Sequence, residues 1–314
     1  MKHYIFLIII ITGLTSCNTK TTGQQVDNTK PMYGEVTKSK EHKEIDKDFK
    51  KECLEQFGSI DSSVYVHIDH AWRYFYNNDL KSAMKRFNQS WLLDPEYPDS
   101  YFGFAALLEM NGNQTESERF YKMGFEMDNS NTRAKICFQR IADCKEQLKD
   151  FNGTIDAYIQ ISELNPTNSF AFKKLGFFHM ELQNTESALK AYSKAIELDP
   201  YDAMTYNNRA YLFQTNGDYK KAITDYTKAI ELDSKYISAY VNRGITLMQE
   251  NNFKAAKKDF ETCIQLDSKT GELRRMLGMA KINLNDKEGA CKDFEIAREL
   301  GDMYVAELIK QNCN

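Results

Sequence analysis

The chain has 314 residues, 42% of them hydrophobic and 27% charged, and a formal net charge of −4. Its Lys and Arg are spread along the whole length, so no concentrated basic face is available to hold phosphates, which excludes nucleic acid as a partner. Glycine (15) and proline (5) are scarce while Tyr (18) and Phe (19) are plentiful, a balance suited to helices that meet through aromatic side chains, and few strand signals appear.

Taken in chain order, Lys2 precedes an apolar run from Tyr4 to Ile11. A membrane-spanning helix needs about 20 apolar residues, so residues 1–16 read as a cleavable export signal. Leu14-Thr15-Ser16-Cys17 resembles the lipobox of bacterial lipoproteins: an apolar residue, two small ones, then a cysteine. The resemblance implies that Cys17 carries a diacylglycerol and that several acyl chains hold the mature protein on a membrane surface, since one chain alone anchors only marginally. A plain secretory signal is the alternative. Asn18 in place of Asp implies sorting to the outer membrane of a bacterial cell envelope.

Residues 17–43 are rich in Thr, Lys and Gln without apolar spacing, and are expected to form a flexible tether. Within 44–63, Ile45, Phe49, Cys53 and Phe57 recur every four residues, with Leu54 adjacent. This predicts an amphipathic helix that caps the exposed face of the first helix pair after it.

From residue 64 to 302 one pattern repeats. Ala188, Tyr192, Ala195 and Pro200 return 34 residues on as Ala222, Tyr226, Ala229 and Ser234, then as Ala256, Phe260, Cys263 and Ser268, and once more as Ala290, Phe294 and Ala297. Thr154, Tyr158, Ile161 and Pro166 keep the register upstream, preceded by Ser117, Tyr121, Gly124 and Asn129 after a shift, and by Ala83, Phe87, Ser90 and Pro95. A small residue marks a partner helix 12 residues ahead of each copy: Ala71, Ala105, Ala142, Gly176, Ala210, Gly244 and Gly278. Small residues let two helix axes approach, while the aromatics fill the gap to the next unit. Gly217-Asp218, Asn251-Asn252 and Asn285-Asp286 are the expected tight turns within units.

This pattern resembles the tetratricopeptide (TPR) repeat, with its period of about 34 residues and two antiparallel helices per unit. The resemblance implies an all-α, right-handed superhelical solenoid of about seven helix-turn-helix repeats, with a second capping helix at 303–314 because terminal repeats need covers. In "GDYKKAITDYTKAIELDSKY", residues 217–236, the carboxylates Asp225, Glu231 and Asp233 fall off the small and aromatic positions and are expected to be solvated or capping.

Chemical sites are sparse. His67 and His70 flank Asp69 on a first helix, but no other His is near in sequence, so His70 is expected on a packing face and no metal site is assigned. No nucleophile elbow, phosphate-binding glycine loop or HExxH helix occurs, and neither an enzymatic activity nor a cofactor is assigned. Cys137 and Cys144 are seven apart on one predicted helix, about 10 Å along its axis, too far to bridge. Cys291 and Cys313 are the candidate disulfide, one that would staple the terminal helix; buried thiols are the alternative.

In TPR arrays the first helices line a concave face. Carried over by register, that face comprises Phe170, Lys173, Phe177 and Met180; Met204, Asn207, Tyr211 and Gln214; Ser238, Val241, Ile245 and Met248; and Arg275, Met279 and Ile282. Met and aromatic area with a few amides suits a peptide or helix of another envelope protein, though some positions are expected to face a neighbouring helix. The carboxylate clamp of some TPR domains matches only in part, through Lys173, Asn208 and Asn242, and fails at Glu272 and Met276. The resemblance implies a non-enzymatic, membrane-tethered scaffold with protein partners; self-association, or an enzyme on a repeat scaffold, are the alternatives.

Overall fold

Residues 26–266 and 270–313 are described by the structure, a computed structural model. The export signal 1–16, Cys17, the first residues of the tether and Ser268 lie outside the described residues. Two compact units divide at Met127 and Asp128, and each is taken by itself.

Unit 1 contains a 3-10 turn, Pro31–Gly34, and helices α1 Lys40–Phe57, α2 Ile60–Tyr76, α3 Leu80–Leu93, α4 Pro98–Met110 and α5 Gln114–Met127. The short links between helices force consecutive ones side by side, α2 on α3 and α4 on α5. Aromatic rings fill the space between them. Trp72 meets Phe87 at 5.3 Å between centroids, Phe87 meets Phe104 at 6.3 Å, and Phe104 meets Phe120 at 5.5 Å. Gly103 lies directly under Phe87, where an added Cβ would come within 2.2 Å of the ring.

Helix α1 packs on α2 through Phe49, Cys53 and Phe57, which gather around His67. Ile45 stays 52% exposed, because it lies a turn beyond that cluster. His67 is the buried histidine of the packing face, and His70 is half-buried: His67 Nε2 is 3.7 Å from Cys53 Sγ and its Nδ1 is 3.3 Å from Arg86. Burial foremost, with the nearby Arg86 charge, lowers its pKa to about 4. Among the described residues no group of three His, Cys, Asp or Glu is arranged to hold a metal ion.

The latter half of the expected tether is not free chain. Residues 27–38 form a strap on α3, with Tyr33 buried and its N–H donating to Asn88 Oδ1. Composition missed this because the anchoring groups come from elsewhere in the chain, among them a buried amide on a helix more than fifty residues downstream.

Unit 2 runs through α6 Thr132–Gln147, α7 Phe151–Leu164, α8 Ser169–Glu181, α9 Thr185–Leu198, α10 Ala203–Thr215, α11 Tyr219–Leu232, α12 Ile237–Gln249, α13 Phe253–Gln265, α14 Gly271–Asn283, α15 Lys287–Glu299 and α16 Val305–Asn312. Helices pair as α6/α7, α8/α9, α10/α11, α12/α13 and α14/α15. The turn inside a pair takes one left-handed residue, Gln183, Gly217, Asn251 or Asn285, which glycine and asparagine adopt at least cost. Asn252 and Asp286 then cap the next helix, accepting from the backbone N–H of Ala255 and Gly289.

The repeated small residues Ala188, Ala222, Ala256 and Ala290 are fully buried, as are the aromatics Tyr192, Tyr226, Phe260 and Phe294. The close approach is tight: a Cβ at Gly176, Gly244 or Gly278 would lie 2.6, 2.6 or 2.4 Å from the ring of Tyr192, Phe260 or Phe294. At the end of the unit, Val305, Leu308 and Ile309 of α16 cover Ala290, Phe294 and Ala297. A disulfide joins Cys291 to Cys313, with Cα atoms 5.6 Å apart; Cys53, Cys137, Cys144 and Cys263 are buried.

Candidate peptide groove of unit 2

Each first helix of unit 2 buries one face on its partner helix and leaves another less covered. On α8 the less covered row is Phe170, Lys173, Phe177 and Met180, at helical spacing. The corresponding rows of α10 and α12 are brought side by side, for Asn242 Nδ2 donates to Asn207 Oδ1 at 3.2 Å across the two helices. Asn207 Nδ2 in turn donates to Asn208 Oδ1. Lys173 reaches the start of α10 and pairs with Asp202 at 2.8 Å. Burial pushes the Asp202 carboxyl up, yet the hydrogen bonds from Lys173 and Thr205 together outweigh it and hold the group below its ordinary value.

The positions carried over by register fall into three groups. Phe170 (45%), Met204 (52%), Tyr211 (46%) and Met279 (36%) are exposed. Lys173, Phe177, Met180, Gln214, Val241, Ile245, Met248, Arg275 and Ile282 are half-buried, and several are already engaged. Val241, Ile245 and Met248 pack on the core of α12–α14, Met180 packs on Tyr192 and Leu212, and Gln214 Oε1 accepts from the Tyr226 hydroxyl at 2.7 Å. Arg275 pairs with Asp302 at 2.8 Å, and its guanidinium lies over the Tyr304 ring. Asn207 is buried, and Ser238 is exposed. The apolar surface open to a ligand is therefore centred on α8 and α10 and reappears at Met279.

Sequence reasoning missed the ion pairs beside this surface. Arg209 grips Asp225 with two nitrogens, at 2.7 and 2.9 Å, while its Nη1 donates to Ser193 of the preceding pair. One repeat on, Arg243 holds Asp259 at 2.8 and 2.7 Å and reaches Thr227. Asp225 is thus buried, 6% exposed, and not a solvated carboxylate as expected from the packing pattern. The signal was present: Arg209 and Arg243, like Asp225 and Asp259, are related by the same 34-residue period as the alanines.

Stacked helix pairs with an open first-helix face define a helical-repeat protein. The particular repeat is identified by comparison: residues 203–236 and 237–270 match sequence profiles of the tetratricopeptide repeat, and residues 179–217 match a TPR repeat profile. The chain carries TPR repeats, and its fold is all-α in the TPR manner. A crystal structure of MamA protein is similar to 56% of this chain over 94% of its own, at 23% identity and a TM-score of 0.51. MamA residues 41 to the end from Desulfovibrio magneticus RS-1 is similar to 53% over 94%, at 14% identity and a TM-score of 0.50. Both likenesses are of fold. No curated protein matches the chain by sequence.

Proposed function

We propose that the protein is a non-enzymatic scaffold, tethered to a bacterial envelope membrane through Cys17, whose unit 2 groove binds a peptide or helical segment of another envelope protein. The observation that carries this is the exposed apolar row of Phe170, Met204 and Tyr211, flanked by the amides Asn208 and Asn242. Large apolar groups held open to water on a rigid helix face supply burial energy to a partner, and neighbouring amides supply hydrogen bonds that set its register. A tether would restrict the search to the membrane surface and raise the effective concentration of partners there. Outer-membrane sorting belongs to the same reading and rests on the lipobox resemblance with Asn18.

The test is photocrosslinking in cells from a benzophenone side chain at Tyr211, with one at the exposed Lys220 of α11 as control. A discrete adduct from position 211 alone, lost when Phe170 and Met204 are changed to Asp with helicity intact, supports the groove. Equal adducts from both positions, or an adduct that survives the double change, overturn it. An adduct to a second copy of the chain replaces the partner reading with self-association.

A further inference from the structure

The strap of unit 1 is held by polar groups of α1, α3 and α5. Asn88 is fully buried on α3. Its Oδ1 accepts from Tyr33 N–H at 3.2 Å, and its Nδ2 donates to the Lys30 carbonyl at 2.9 Å and to both oxygens of Asn28 at 3.3 Å. Tyr33 lays its ring against Trp91, 6.4 Å between centroids, under the Lys38 ammonium at 4.1 Å. Lys38 also pairs with Asp46 of α1 at 2.7 Å, and Glu35 pairs with Arg119 of α5. Met32, Tyr33 and Glu35 all take positive φ, at 49°, 55° and 56°. Side chains adopt that conformation only where the surroundings over-determine it.

We propose that this strap is a brake on the membrane tether: docked, it fixes where the chain leaves unit 1 and limits how far that unit can rise from the lipid surface. The proposal rests on the lipid-anchor reading of Cys17. From Cys17 to Asp27 there are ten residue steps, which span at most about 35 Å even fully extended. Were the strap lifted, the first fixed point would be Lys40, twenty-three steps away, and the same limit becomes about 80 Å. The docked strap thus more than halves the height that unit 1 can reach above the bilayer. Lifting the strap breaks the hydrogen bonds that the Asn88 carboxamide makes to Asn28, Lys30 and Tyr33. The only two tryptophans of the chain, Trp72 and Trp91, both lie in unit 1, so the device carries its own reporter.

The experiment uses the full-length lipidated protein on phosphatidylethanolamine/phosphatidylglycerol vesicles bearing dansyl-headgroup lipid. Energy transfer from tryptophan is measured against the same vesicles without acceptor. Wild type should float with the vesicles and transfer, and Cys17→Ser should not float. Tyr33→Ser and, separately, Asn88→Leu should float as well as wild type but lose at least twofold in transfer, with helicity unchanged. Tyr33→Ser alters only the strap, so it keeps the test valid if Asn88→Leu fails to fold. Floating variants with wild-type transfer overturn the brake and leave the anchor standing. Wild type that does not float overturns the anchor reading and the brake with it.

Discussion

In unit 1 aromatic rings touch aromatic rings, a run from Trp72 through Phe87 and Phe104 to Phe120 that joins both helix pairs. From α9 to α13 of unit 2, by contrast, Tyr192, Tyr226 and Phe260 each sit over a Gly or Ala of their own pair. There the step to the next pair is reinforced by an arginine that binds its own pair's aspartate and the preceding pair's hydroxyl. A packed aromatic run depends on shape along its whole length. An arginine ladder depends on geometry only at each rung, and can be copied unit by unit with little adjustment, which suits the more regular repeats.

The largest effect should come from breaking a rung. Asp259→Ala leaves the Arg243 guanidinium, whose side chain is 18% exposed, beside an empty carboxylate site. Removing one partner of a buried pair costs about 3–5 kcal/mol, and hydrogen exchange should locate the loss in α12 and α13 while tryptophan emission from unit 1 holds. A cost under about 1 kcal/mol, the scale of a surface pair, would mean the rung is peripheral. Cys313→Ser removes a cross-link spanning 22 residues, for an expected loss of about 3 kcal/mol. Faster cleavage of the loop at 300–304 by protease is the readout; an unchanged rate would show that the apolar contacts of α16 suffice.

Unit 1 has its own polar weak point in His67. Its folded pKa, about 4, lies below the unfolded value near 6.5. Between those two values the unfolded chain binds the proton and the folded one does not. The stability contributed by neutral His67 is therefore whole above about pH 6.5 and is lost progressively as pH falls toward 4, by up to about 3 kcal/mol. Tryptophan-detected melting of wild type should weaken across that window and His67→Gln should flatten the trend; parallel pH profiles would remove His67 as the cause. The smallest change is Gly244→Ala. Alanine is the better helix former by about 1 kcal/mol, but its Cβ would meet the Phe260 ring at 2.6 Å. A net loss of about 1–3 kcal/mol is expected from overpacking, and a gain in melting temperature would show that the ring has room to move.

Much of this was legible from residue spacing. The alanine and aromatic positions, the intra-pair turns at Gly217, Asn251 and Asn285, and the two-helix unit all arise from a period that local sequence carries. The groove was legible as a set of register positions, but not which of them stay open. Ile245 lies one 34-residue period after the exposed Tyr211 yet packs on the core cluster that includes Phe260, Leu273 and Leu277, since exposure depends on how far the next pair leans over each row.

The 34-residue pattern by itself determined the helices, their pairing and the small-on-aromatic contacts, because each of these links residues within one helix pair and recurs from unit to unit. Only the tertiary structure decided the fate of the charges and amides: Asp225 buried under Arg209, Asn207 joined to Asn242, and Asn88 holding a strap fifty-five residues away at Tyr33. A hydrophobic position declares itself by periodicity, whereas a polar side chain is solvated or buried according to whether a partner from elsewhere in the chain arrives within about 3 Å.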